Sequence, residues 1–381
     1  MGENVGTAKG GFAAAANVSV NRITDTAKAY TKGNMVTADA LAIRSGNDSK
    51  ITTGAGAIAL GLSQNSSAIA GSFMYNAITD KNEAYAEDAV LTLQGSEKED
   101  ASLTVEADNA AKITNIAASG SGAAKGSAIA GQISLNWVDN KTDAHVKGGR
   151  LTADEAATIA AKDRGTIDSY TGAVAISAGN NGAAVGASIA ANLIEGETTS
   201  SLEDTTVNSG GALSVLAKNG SNATLGVGSA AVGGNSAGAS IGVMVNQSEV
   251  AATLTGDKDK SHTITADGIT VQADNAYNGA ASDTDDKTAR TVAVGFAGGA
   301  SLSAGSGIGA AVDVQTYNGH TYAGIADGAS LKNTSSVTVN ADSKEHLTSV
   351  AATLAGGAGT FAGGSWRTLR LDRYESVFGP E

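Results

Sequence analysis

The chain has 381 residues, of which 50 are Gly, one is Pro and none is Cys, and aromatic residues make up only 4%. Lys plus Arg number 25 against 38 Asp plus Glu, a net charge of −13. This argues against nucleic acid and against anionic lipid headgroups, since both attract basic segments. Without Cys there is no disulfide or thiol chemistry, and no apolar run reaches the ~18 residues that mark a membrane-spanning helix.

In chain order the sequence repeats itself. The opening Met1-Gly-Glu-Asn-Val has no basic region followed by an apolar one, as a secretory leader would. The repeat begins by about Gly10, so we expect the chain to be a segment of a longer one. A run of small residues then closes on Asn: "AAAANVSVN" at Asn21, "AIAGSFMYN" at Asn76, "AIAGQISLN" at Asn136, "AVGASIAAN" at Asn192 and "AGASIGVMVN" at Asn246. A sixth copy, "GSGIGAAVDVQ", puts Gln315 there, and the spacings are 55, 60, 56, 54 and 69. Between these runs lies a second anchor, an alternating strand. It reads Leu41-x-Ile43-x-Ser45, Leu103-x-Val105-x-Ala107, Ile159-x-Ala161, Leu213-x-Val215-x-Ala217, Ile269-x-Val271-x-Ala273 and Val337-x-Val339-x-Ala341. Its spacings are 62, 54, 56, 56 and 68. Two anchors with one period of about 54–69 residues define an internal repeat. Both lengthen in the last unit, which places an inserted loop around Asn278 to Arg290.

Alternation with period two and an excess of Val, Ile and Thr predict strand. Gly, Asn, Asp and Ser between the runs predict turns. Leu151 to Gly165 has the composition closest to a helix, but it falls on a strand anchor and is read as strand. In "GNNGAAVGASIAAN" (Gly179 to Asn192), Val185, Ala187 and Ile189 are expected to face inward. The assembly that fits is all-β, a parallel β-helix (β-solenoid) whose narrow core takes small side chains. With roughly 18–20 residues per coil, three coils per repeat and strands ~4.8 Å apart, some 18–20 coils would make a rod roughly 90 Å long. Asn21, Asn76, Asn136, Asn192 and Asn246 are expected at coil corners, where Asn tolerates the left-handed backbone region. One continuous β-helix segment is expected over 1–365. The tail 366–381, "WRTLRLDRYESVFGPE", holds three Arg and the only Pro, and is foreign to the repeat: a cap or an artefact of the sequence.

"GAAVGASIAAN", "AGASIGVMVN", "GITVQADN" and "SVTVNADS" resemble the repeats of large bacterial filamentous adhesins, filamentous-haemagglutinin-like and leukotoxin-type, over roughly residues 10–365. The resemblance implies a right-handed parallel β-helix, autotransporter-like type V secretion through an outer-membrane transporter, display at the cell surface and a role in adhesion and virulence. It implies a host or bacterial surface receptor or glycan as partner and brings no catalytic residue.

Candidate chemistry is sparse. "GASIG" around Ser240 matches the nucleophile elbow G-x-S-x-G, but Ser188 holds the same place in its own repeat, so the pattern belongs to the architecture. The four His are scattered without metal spacing. Asp283, Asp285 and Asp286 are weak candidates for Ca²⁺ ligands in the inserted loop, with no recognised cation-loop pattern around them. Tyr75 and Trp137 flank anchor Asn residues and are candidates for stacking on a sugar ring. The expected function is a non-catalytic stalk or ligand-presenting segment, extracellular, with no cofactor and no membrane insertion. The alternative is a β-helical carbohydrate-active enzyme, a polysaccharide lyase or glycoside hydrolase, which would need converging carboxylates.

Overall fold

The structure is a computed structural model that describes residues 2–9, 11–95, 101–257, 262–275, 289–302, 305–326, 328–332 and 334–378. Asp283, Asp285, Asp286 and most of the inserted loop lie outside these residues. The described residues are all β, and every strand pairing is parallel. Leu151–Gly165 is extended, as expected, with a turn at 154–156.

The strands form two sheets. The first holds Gly2–Ala8, Leu41–Gly61, Leu103–Ala123 and Ala157–Ser177, then the broken layers Leu213–Asn219 with Asn222–Gly233, Gly268–Asp274 with Ala289–Ser301, and Ser336–Asp342 with Glu345–Gly356. The second holds the long strands Phe12–Lys32, Ser67–Leu93, Ala128–Ala153, Ala183–Glu203, Asn235–Thr255, Ser306–Ala326 and Gly359–Phe378, extended by short strands such as Thr206–Ser209. The chain alternates between the sheets, so each repeat adds one layer to each. The sheets face one another, and the core clusters draw side chains from both.

The size of a layer corrects one expectation. Hydrogen-bonded partners lie one full repeat apart: Asn21, Asn76, Asn136 and Asn192 stack in sequence separations of 55, 60 and 56. Each repeat is therefore one layer and not three coils of 18–20 residues. Seven layers at ~4.8 Å give a stack roughly 30 Å deep, while a 21-residue strand spans about 70 Å, so the long dimension runs along the strands. The error has a physical source. Gly, Ser and Asn within the repeat looked like turns, but many of them are mid-strand residues, and those of the Asn ladder bond to the layers above and below.

The second anchor keeps its register throughout, with Ser45, Ala107, Ala161, Ala217, Ala273 and Ala341 opposite one another in turn. The first anchor shifts once. Asn192 lies opposite Met244, two residues before Asn246, and Met244 lies opposite Gln315. A shift of two preserves the side chain's face, so Asn246 still points inward, opposite Ile194 and Tyr317.

None of the five anchor Asn residues is a corner. All lie in the middle of strands, and Asn76, Asn136, Asn192 and Asn246 are buried. The left-handed corner is elsewhere, in one aligned column at the far end of the second sheet: Gly33 (φ 64°), Asp88 (φ 49°), Gly148 (φ 70°) and Asp204 (φ 49°). Gly at two of the four positions removes the cost of positive φ, and Asp tolerates it.

In the strands Leu103–Ala123 and Asn222–Gly233 alternation is strict, with one face buried and the other half-buried or exposed, and most of Ala183–Glu203 follows it. In the strand Ala183–Glu203, Gly186, Ser188 and Ala190 face inward, whereas Val185 and Ile189 are each 39% exposed. The expected inward placement of Val185, Ala187 and Ile189 is thus reversed. The tail's foreign composition does not interrupt pairing: Gly359–Phe378 runs in register with Ser306–Ala326.

Candidate functional site

The inner polar column is built by the anchor Asn residues. Asn21 Nδ2 donates to Asn76 Oδ1 (2.9 Å), Asn76 Nδ2 to Asn136 Oδ1 (2.8 Å) and Asn136 Nδ2 to Asn192 Oδ1 (2.8 Å). A carboxamide carries donor and acceptor, so each member serves its neighbours on both sides. The first sheet joins the ladder: Asn115 Nδ2 donates to Asn136 Oδ1 at 3.2 Å, and Asn136 Nδ2 also reaches Ser169 Oγ at 3.2 Å. From Asn76 to Asn192 these groups are sealed in the core; only Asn21, at the end of the ladder, is half-exposed. Asn246, displaced from the column, has neither Nδ2 nor Oδ1 satisfied by a protein partner.

Two buried carboxyls stand apart. Asp163 is fully buried, and burial pushes its pKa up to about 7, although Asn140 Nδ2 donates to Oδ1 at 2.7 Å. Its Oδ2 lies beside Gly196 without a protein partner. Asp313 is raised to about 6 by the same cause, opposed by the backbone N–H of Gly295. Both face the core, out of reach of a polymeric substrate. Ser188 and Ser240 are opposite one another, mid-strand and 1% exposed, so neither sits on a nucleophile elbow.

The outer face of the second sheet carries the polar surface site. Asp139, Glu195, Gln247 and Asn318 align across four strands. Beside them run Lys141, Glu197, Glu249 and His320. Together they line a shallow depression of about 440 Å³. Lys141 Nζ donates to Glu197 Oε2 at 2.9 Å, and that bond holds the lysine above its ordinary pKa. Trp137 borders the depression, its indole Nε1–H donating to Glu195 Oε2 at 3.1 Å. Tyr75 sits on the next strand, diagonal to Trp137, because Asn76 pairs with Asn136. Both rings are half-buried on the outer face. The structure thus brings Trp137 to a carboxylate group that was not foreseen. Asp139, the pair Glu195 and Glu197, and Glu249 belong to three successive repeats, and only the true register places them side by side.

A second outer feature also went unforeseen. Tyr30, Tyr85 and His145 stack in one column, with ring centroids 5.1 and 4.8 Å apart and Lys28 Nζ 4.7 Å from the Tyr85 centroid. Burial works against protonation of His145, but hydrogen bonds and charge from Asp143 and Glu87 outweigh it and raise its pKa. The signal was one of spacing, since the three residues recur at the repeat period.

Nearer the connections that lead from the first sheet to the second, this face becomes apolar. Ile69, Ile129, Val185 and Ile308, 38–43% exposed, form one ridge with a gap at Ala237, and Ile133, Ile189, Ile241 and Val312, 37–41% exposed, form a second, unbroken one. Between them runs a furrow floored by Gly71, Gly131, Ala187, Ala239 and Ala310.

Among the described residues, no cluster of three or more His, Cys, Asp or Glu has the geometry to hold a metal ion, and no helix is long and apolar enough to cross a membrane. No family model, no curated protein and no solved structure matches the chain.

Proposed function

We propose that the chain is a β-solenoid segment of a secreted, cell-surface bacterial adhesin, a rigid stalk that presents a ligand-binding face. The observation that carries this reading is the unbroken parallel register of the second sheet from Phe12 to Phe378, in which every repeat is hydrogen-bonded to the next. A scaffold of this kind resists deformation because its layers share long ladders. It can offer weak surface sites in multiple copies, so that avidity rather than single-site affinity holds a partner. The right-handed winding and the type V route through an outer-membrane transporter belong to the same proposal. The partner is a host or bacterial surface receptor or glycan, and its contact is the depression bordered by Trp137, where an aromatic ring meets several carboxylates, a common grammar for sugar hydroxyls and ring faces. Immobilised chain is expected to retain host-cell glycans, and Trp137→Ala should reduce retention at least fivefold. Retention unchanged by Trp137→Ala would remove the depression from the reading, and no retention of any cell-surface glycan or protein would remove the adhesive role.

A second reading rests on the same depression. Asp139, Glu195, Glu197 and Glu249 on adjacent strands are the kind of carboxylate set that a polysaccharide lyase or glycoside hydrolase uses. Depolymerisation of a plant or host polysaccharide, lost in Glu195→Gln or Glu249→Gln, would favour the enzyme over the stalk.

A further inference from the structure

We propose that the ridged apolar face of the second sheet is an interface with a second copy of this chain, one ridge of each copy seated in the furrow of the other. The inference rests on the sheet register and not on the adhesive reading.

The face is four side-chain columns wide, from the Val185 column to the Ala191 column. From the strand Phe12–Lys32 through Ser306–Ala326, no position in these columns is charged, and Tyr75 is the one polar side chain. The chain's net charge of −13 is carried elsewhere. Six strands make the patch roughly 29 Å across, and with about 25 Å along the strands it covers about 700 Å². That exceeds the few hundred Å² of apolar patch usual on a monomer and falls within the roughly 600–1,000 Å² per partner of a standard stable interface.

The relief selects the occupant. Ridge and furrow both run across the strands, and both repeat at one strand spacing. A second copy has the same spacing by construction. A two-fold axis parallel to the stack, passing between the Ala187 and Ile189 columns, keeps the layer order and sets the Ile189 ridge of one copy over the Ala187 furrow of the other. The same operation sets the Val185 column against the Ala191 column. The pairing is isologous, so it closes as a dimer. At the two central columns the sheets would interdigitate as dry facing sheets do, large against small, while in the flanking pair Ile69 faces Tyr75, Ile129 faces Leu135 and Ile308 faces Val314, large side chains that close the edges of the seam. The outer face of the first sheet is also apolar and has its own small-residue column, Gly56, Ala118, Gly172 and Gly228, but the columns on either side mix large and small, as with Ile58, Gly120 and Val174, and no continuous ridge stands beside it to fill a partner's furrow.

Sedimentation velocity on the 381-residue chain tests this. The native chain is expected to be a dimer at micromolar concentration. Ala187→Glu places a charge in the furrow and should give a monomer with an unchanged β-sheet circular dichroism spectrum, while Val174→Glu on the first sheet should leave the dimer intact. Should Ala187→Glu fail to fold, Ile189→Thr, which keeps the branched shape, is expected to raise the dimer Kd at least tenfold. A native chain that is monomeric at 100 µM, or an Ile189→Thr Kd equal to the native value, overturns the proposal. Dissociation by Val174→Glu in place of Ala187→Glu assigns the interface to the other sheet and also overturns it. So does flotation of the native chain with phosphatidylcholine vesicles that Ala187→Glu abolishes, because the face then belongs to lipid.

Discussion

The two ends of the sheets are built on opposite plans. At the end where Leu103, Leu151, Ile159, Leu202 and Leu213 lie, large aliphatic side chains fill the core, and the outer face carries ion pairs such as Lys147–Glu203 and Lys162–Glu106. At the end where the first sheet connects to the second, the core is alanine: Ala68, Ala70, Ala128, Ala130, Ala173 and Ala175. There the large residues are outside, including Ile58, Ile129, Val174 and Ile176. Along each long strand the alternation keeps its phase up to the αL corner; the size of the side chains on each face changes instead. Alternation alone therefore identifies a strand but not its buried side. Inside and outside are decided only where one face is polar.

The largest test of this contrast truncates one aliphatic residue at each end. Ile159→Ala removes a fully buried side chain and should cost about 2–5 kcal/mol in urea unfolding, the usual cost of a core cavity. Ile129→Ala removes an outward side chain and should change the stability of the monomeric Ala187→Glu background by only about 0.5 kcal/mol. Equal losses would mean that the alanine-cored end buries its large residues after all.

The Asn column lies between the two ends and gives the next effect. Asn136→Ala leaves Asn76 Nδ2 without its acceptor and Asn192 Oδ1 without its donor, so a cost of about 1–3 kcal/mol is expected. The same change at Asn21, half-exposed at the end of the ladder, should cost less. A loss at Asn21 as large as at Asn136 would show that the column does not act as a buried ladder.

The strands, their parallel stacking and the second anchor's register were all legible in the sequence, because Leu103, Ala157, Leu213, Ile269 and Val337 recur where one layer must sit on the next. The layer size was not legible. Asn192 reads as a turn residue by propensity, and only the pairing of a residue with its equivalent a whole repeat away shows that it lies mid-strand. Trp137 was singled out, but the carboxylates beside it were not. Their grouping depends on register between repeats, and the shift of two residues at Met244 falls within that stretch. The αL corner was missed for a related reason. Gly33, Asp88, Gly148 and Asp204 share no residue type, so no motif marks them.

Asp163 gives a pH-dependent contrast within the core. Its folded pKa of about 7 lies above the ordinary carboxylate value near ~3.9, so between those values the folded chain holds a proton that the unfolded chain has released. Stability is therefore lost as pH rises from about 4 to about 7 and levels off above. Asp163→Asn keeps the bond from Asn140 and removes the titration. The variant should match the native chain near pH 4, exceed it at pH 8 and show a shallower slope of thermal midpoint against pH. A slope unchanged by Asp163→Asn would mean that the carboxyl is solvated. The remaining slope belongs in part to Asp313, raised to about 6.

The smallest effect lies on the charged outer face. Lys147 Nζ and Glu203 Oε2 are 2.8 Å apart, with side chains 52% and 34% exposed. At such exposure water and salt screen the attraction, and holding two long side chains in place costs entropy, so Lys147→Ala should change stability by about 0–1 kcal/mol, less at high salt. The pair nevertheless has a consequence for the contrast between the ends. Columns of Lys and Glu along this edge keep copies from pairing face to face, because bringing two such faces together would strip water from every ion pair. The apolar end has no such barrier. If charge sets where copies meet, Lys147→Leu together with Glu203→Leu should leave the fold intact and enlarge the contact between copies, visible as a lower dimer Kd or as species beyond the dimer. An unchanged association state would show that the furrow's relief, and not the charge at the other end, governs where copies meet.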